Sequence, residues 1–210
     1  LPDDLSGKVV ARVNEPQRDA TSKNHSATHL MHAALHAVVG EHALQKGQNV
    51  DQNRLRFDFS HYQKVTEDEL ATIEKMGNEK IRANIALDER RDVPIDEAKA
   101  MGAMMLFGEK YGESVRVITF EEGFSQELCG GTHVPATGEI GLFKIVKEDS
   151  VAAGIRRIEA VTAAAAENFV NEQLTELAEL RRMLKSNDLK KTVASLQEEN
   201  KDLKRDVEKL

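Results

Sequence analysis

Four side chains able to ligate a metal stand in two short clusters about a hundred residues apart: His25 and His29 in NHSATHLMH, and Cys129 and His133 in ELCGGTHV. Residues four apart on a helix share a face, so His25 and His29 can present two imidazoles to one ion. In the second cluster Gly130 and Gly131 are expected to bend the backbone tightly between a thiolate and a third imidazole. A lone HxxxH is weak evidence. Joined to CxxxH in a chain with a single cysteine, it becomes a donor set of nitrogen and sulfur that suits tetrahedral zinc.

The chemistry open to such an ion is bounded by its neighbours. A zinc peptidase would read HExxH, with the glutamate as base, whereas Ser26, Ala27 and Thr28 separate the two histidines here. Hydrolysis would therefore rest on zinc-bound water, a substrate hydroxyl or another base. Four protein ligands also describe a closed structural site, and on spacing alone that reading stands slightly ahead. His32 and His36 continue the helical period of His25 and His29 and read as a polar flank or satisfied interior histidines. Thr28 reads as a hydroxyl bonding back to the preceding turn rather than one lining a pocket.

The elements that must position these residues follow from pattern. Val9 to Val13 reads as a short strand and Asn14 to Lys23 as a polar lead-in, after which Ser22 or Asn24 caps a helix running to Gly40. Arg54 to Ser60 alternates Leu55, Phe57 and Phe59 inward as a half-buried strand. Thr66 with Glu69 forms a capping box before a helix of about four turns. Ala83 to Val93 reads as extended, and Pro94 starts a short helix, followed by the apolar patch Met104 to Phe107. Val115 to Phe120, Ile140 to Val146 and Ile155 to Val161 read as strands. This irregular interleaving predicts an α+β fold, with helices packed on a mostly antiparallel sheet. From Ala163 glycine and proline vanish, and Leu189, Leu196, Leu203 and Leu210 recur by sevens with Val193, Asn200 and Val207 at the other seam position, predicting a long coiled-coil segment. Ser186 to Asp188 interrupt the pattern, leaving a hairpin within one chain or a continuous helix pairing two chains.

The 210 residues hold one cysteine, which excludes an internal disulfide. No apolar run approaches a membrane span and no signal peptide opens the chain, so a cytoplasmic location without membrane contact is expected. Leu1 to Gly7 reads as the end of something earlier, an excised piece of a longer protein. A net charge of -7 argues against bulk electrostatic gripping of nucleic acid. Arg54 with Arg56, Arg90 with Arg91 and Arg156 with Arg157 could assemble a local basic patch, although salt-bridged surface is the more ordinary fate of such pairs.

Several blocks in fixed order carry a resemblance: NHSATHLMHAAL, QKG from Gln45, RLRFDFSH from Arg54, FGEKYG from Phe107, ELCGGTHV, TGEIG from Thr137 and GIRRIEAVT from Gly154. Together they resemble the editing region of the alanyl-tRNA synthetase family over residues 10 to 165, and the later helices resemble the stalk that follows it. The resemblance implies residues 1–20 as the end of a preceding β-rich domain or a linker, 21–162 as an editing domain and 163–210 as a coiled-coil stalk. It implies a Zn2+-dependent hydrolysis of serine or glycine wrongly esterified to tRNA specific for alanine, with His25, His29, Cys129 and His133 as ligands. Gln45 and Cys129 are the implied catalytic positions, Gln45 beside the amino acid where serine is recognised. Arg156 and Arg157 become candidates for contacting the tRNA acceptor end, against salt bridges to Glu159 or Glu139. The implied partners are that acceptor end, the remaining ATP-binding synthetase domains, and a second copy through the C-terminal helices; this stretch alone would not charge tRNA. A synthetic site for alanine cannot reject serine or glycine strongly by size, so a second hydrolytic sieve is needed. A non-catalytic, zinc-stabilised oligomerisation module is the alternative, and threonyl-type editing fits the RFDFSH and RRIEAVT blocks less well. Two departures stand out: QKGQNV where QKGS is usual, and Ala163 after Thr162 where glycine is common.

Overall fold

The structure, a computed structural model, describes residues 10–105 and 110–209. Its first helix, α1 (Glu15–Val39), is followed by strands β1 (Gln45–Val50) and β2 (Leu55–Ser60), helix α2 (Glu67–Arg82), strand β3 (Asp88–Pro94) and helix α3 (Ile95–Ala100). Then come β4 (Ser114–Glu121), β5 (Ser125–Leu128), a 3-10 turn (Thr137–Ile140), β6 (Phe143–Ala152), β7 (Ile155–Thr162) and the helices α4 (Ala163–Leu184) and α5 (Leu189–Val207). The α+β class is borne out, with one amendment. Two antiparallel sheets form instead of one, a four-stranded sheet in the order β1-β2-β7-β6 and a three-stranded sheet in the order β3-β4-β5.

Helix α1 contacts strands β1, β2 and β7 of the larger sheet and β5 of the smaller one. That placement explains its polar burial. Asn24, expected as a cap, sits inside the helix, where its side chain donates to the Asp51 carbonyl at 2.8 Å and accepts from Thr162 Oγ1 at 2.7 Å. The cap is Asn14, whose Oδ1 accepts from the Gln17 amide at 3.3 Å. Residues 15–20, expected in a β-rich or linking segment, are thus the opening turns of α1. Val10 to Val13 form no strand either; Val10 and Val13 are exposed and no neighbouring strand pairs with them.

The main core joins α1, α2 and both sheets. On β2 the alternation holds: Leu55, Phe57 and Phe59 are fully buried, with Phe57 opposite Ile158 of β7. Thr66 and Glu69 form the expected capping box of α2. Asn78 then docks α2 on β6, donating to the Phe143 carbonyl at 2.8 Å and accepting from its amide at 3.0 Å. A smaller core of Val93, Ala98, Ala103, Val117 and Leu128 lies between α3 and the three-stranded sheet. Of the expected apolar patch, Leu106 and Phe107 lie outside the described residues, as do Leu1 to Val9 and Leu210.

The chain divides into two compact units at Ala166 and Glu167. Near that boundary Ala163 has φ +49°, the left-handed region in which a Cβ costs about 1 kcal/mol or more relative to glycine. Its amide donates to the Leu142 carbonyl at 2.9 Å, which holds the turn in place. Alanine stands here at a strain that a glycine would not carry. In the second unit the helix is broken, not continuous: Lys185 takes φ +48° and the Asp188 side chain caps α5 through the Lys191 amide.

Candidate metal centre

The loop Cys129 to His133 leaves β5 and returns along α1. Its approach is set by Gly131, where a Cβ would stand 2.1 Å from Cε1 of His25. Neither Gly130 nor Gly131 has a positive φ, although the chain does bend at Gly131. Gly131 makes room for an imidazole, and a Cβ on Gly130 would meet nothing within 4 Å.

The loop brings the predicted residues together. One ligand atom from each of His25, His29, Cys129 and His133 falls within 4.8 Å of every other. Cys129 Sγ lies 3.3 Å from His133 Nε2 and 3.5 Å from His25 Nε2. Bonds of about 2.0 to 2.3 Å separate the donors of a zinc tetrahedron by about 3.3 to 3.6 Å, so these two edges already have the right length. The three imidazoles face one another, with ring centroids 4.3 to 5.2 Å apart.

Two of the three imidazoles are braced on their outer side, and the third faces a carboxylate. Ser26 Oγ lies 3.1 Å from His133 Nδ1 and accepts from the Val134 amide at 3.1 Å; a proton on Nδ1 leaves the Nε2 lone pair facing Cys129. His25 has a backbone hydrogen bond with Thr132. Behind His29 stands Glu127, with Oε2 3.8 Å from Nδ1, and its Oε1 takes His32 Nδ1 at 3.2 Å. The loop backbone is gripped by Arg116, whose Nη1 donates to the carbonyls of Cys129 (2.9 Å) and Gly131 (2.6 Å) while Nε donates to Glu89 at 3.0 Å. The Gly131 amide points at Cys129 Sγ, 3.4 Å away.

Burial, followed by the nearby His29, lowers His25 to about 4, and burial with His29 and His25 lowers His133 to about 2. Burial pushes His29 down as well. All three are therefore neutral at neutral pH, the form that binds a metal ion.

An open cleft of about 770 Å3 adjoins the cluster, lined by Gly130, Gly131, Thr132 and His133 on one side and by Arg18, Arg91 and Arg116 among others. Gln45 is not among its lining residues; it opens β1 opposite Phe59 and is half-buried. Arg156 and Arg157 are likewise elsewhere, and as neighbours on β7 they face opposite sides of the sheet. Arg156 pairs bidentately with Glu148 and Arg157 with Asp58, so the acids involved are not Glu159 or Glu139. Thr28 donates to the Asn24 carbonyl at 2.9 Å, the back-bond expected of it.

Sequence reasoning passed over Ser26, Arg116 and Glu127. For Glu127 a signal existed: on a strand, residues two apart share a face, and Glu127 stands two before Cys129.

Residues 115–159 match the family model described as threonyl and alanyl tRNA synthetase second additional domain, which takes in Arg116, Glu127, Cys129 and His133. The chain is 61% identical over 200 residues to an alanine–tRNA ligase of Cytophaga hutchinsonii, covering 95% of this chain and 23% of that protein. An alanine–tRNA ligase of Parabacteroides distasonis is 51% identical over 213 residues (99% of this chain, 24% of that protein), and one of Salinibacter ruber is 50% identical over 212 residues (100% and 22%). The chain belongs to the alanyl-tRNA synthetase family. It spans about a quarter of the length of these curated relatives. Among the described residues no helix is long and apolar enough to cross a membrane.

The two loop glycines give a sharp comparison. Gly131→Ala is expected to displace His25 and destabilise the zinc-loaded protein by about 1 to 3 kcal/mol, whereas Gly130→Ala should change stability by less than about 0.5 kcal/mol. Thermal melts of both variants with zinc check this.

Proposed function

We propose that residues 21–162 form a zinc-dependent editing domain that hydrolyses serine or glycine from mischarged tRNA specific for alanine. The observation that carries the reading is the convergence of His25, His29, Cys129 and His133, three neutral imidazoles and one thiol sulfur, on the edge of an open polar cleft. Zinc held by those four would supply a Lewis acid for the ester carbonyl and a means of activating water. Arg116 holds the Cys129 and Gly131 carbonyls, and Ser26 holds the His133 tautomer. Arg18 lines the cleft where phosphates of an acceptor end would lie, and Arg91 there would share its charge with Glu89, which lines the cleft together with Asp92. Gln45 keeps its proposed place beside the amino acid by family resemblance. Arg156 and Arg157 can contact tRNA only by sharing or leaving their carboxylates. The ATP-dependent charging reaction and the remaining synthetase domains are proposed for the longer protein, with a cytoplasmic location.

A closed four-ligand shell favours a second reading, a structural ion that ties α1 to the loop within an oligomerisation module. The cleft bordered by His133 speaks for the hydrolytic one. Measured with serine-charged tRNA, Cys129→Ala should lower kcat/KM by more than the 10- to 100-fold typical of losing an outer partner of a metal ligand. Unchanged hydrolysis in that variant, or none in the wild-type full-length enzyme, would sink the proposal.

For residues 163–210 we propose a stalk that pairs with a second copy through α5. Leu196, Leu203 and Val207 are exposed there on one heptad seam, with Asn200 as the polar seam residue that fixes register. Sedimentation should give a dimer that Leu203→Glu converts to monomer; a wild-type monomer contradicts it.

A further inference from the structure

Every ligand imidazole has its outer nitrogen engaged except that of His29. Its Nδ1 is buried with no hydrogen bond, and the carboxylate facing it, Glu127 Oε2, stands 3.8 Å away. Glu127 is itself only 7% exposed, an uncommon place for a carboxylate without a cation to offset it. Its other oxygen is held by His32 at 3.2 Å. Its backbone is fixed from both sides, by pairing with Ile118 of β4 and by the bridge to Met104, whose amide and carbonyl bond Gln126 and Leu128. Glu127 does not line the cleft, so a substrate lying there does not touch it.

We infer that Glu127 is a positioning residue for the metal centre: when the ion is bound it accepts a hydrogen bond from the Nδ1–H of His29, so that the Nε2 lone pair faces the ion, and it supplies the buried negative charge that balances it. The charges support this assignment. A divalent ion with one thiolate leaves a net charge of +1 on the three neutral imidazoles' site, and Glu127 brings the sum to zero. His32, with Nε2 buried and unpartnered and its ring 4.8 Å from that of Phe57, serves as the strut that keeps the carboxylate aimed at His29. The inference rests on the zinc reading above.

The test is a double-mutant cycle on zinc affinity in the full chain, measured by competition with a chromogenic chelator. Glu127→Gln is expected to weaken zinc binding 10- to 100-fold and to shift the visible spectrum of the cobalt-substituted protein. In a His29→Ala background the same change is expected to have little further effect, because its target is gone. Unaltered zinc affinity in Glu127→Gln, or an equal loss with and without His29, overturns the proposal. If Glu127→Gln does not fold, Glu127→Asp retains the charge one methylene further back and should give a smaller loss; failure of both to fold makes Glu127 a structural residue and also overturns it. A wild-type chain that takes up no zinc is a different failure, of the zinc reading itself.

Discussion

The approach of the Cys129 to His133 loop to the buried face of α1 is the constraint on which the rest depends. A loop bearing a cysteine and a histidine must come close enough for Gly131 to occupy space that any side chain would contest with the His25 ring. Such closeness buries backbone polar groups that need partners. Arg116 satisfies two loop carbonyls at once and Ser26 the Val134 amide, so the grip on the loop and the orientation of His133 come from the same few bonds. The two sheets flanking α1 hold its polar face in place, with Asn24 bonded to Asp51 and Thr162.

Electrostatics follow from that burial. Burial keeps the three imidazoles neutral at neutral pH, so they meet an ion without first losing protons, while the Cys129 thiol gives up its proton on binding. The strongly charged groups sit around it rather than in it: Arg116 with Glu89 at the cleft, and Glu127 behind His29. Arginine on the loop side and carboxylate on the helix side give the cluster a defined polarity.

Much of this was legible in the sequence where one periodicity ruled. The alternation of β2, the capping box of α2 and the paired HxxxH and CxxxH clusters all survive in the structure as read. Where tertiary packing overrode local signal, the reading failed. Asn24 looks like a cap but is buried because α1 is enclosed by both sheets, and Asn14 does the capping instead. Strand β1, QKGQNV, is polar and lies at a sheet edge, so no apolar alternation marks it, while β5 has four residues and is too short to show a period. The paired arginines 156 and 157 look like one basic patch in sequence, yet a strand's period of two sends them to opposite faces. Gly131 has no positive φ to explain it; the reason it must be glycine is a ring contributed from more than a hundred residues away.

The central claim is that one ion is held by three imidazoles and one thiolate. X-ray absorption at the zinc edge of the zinc-loaded full chain tests it most directly. The account predicts one sulfur at about 2.3 Å and three nitrogens at about 2.0 to 2.1 Å, with the sulfur lost in Cys129→Ala. A wild-type spectrum without a sulfur neighbour, or one unchanged by that substitution, would contradict it.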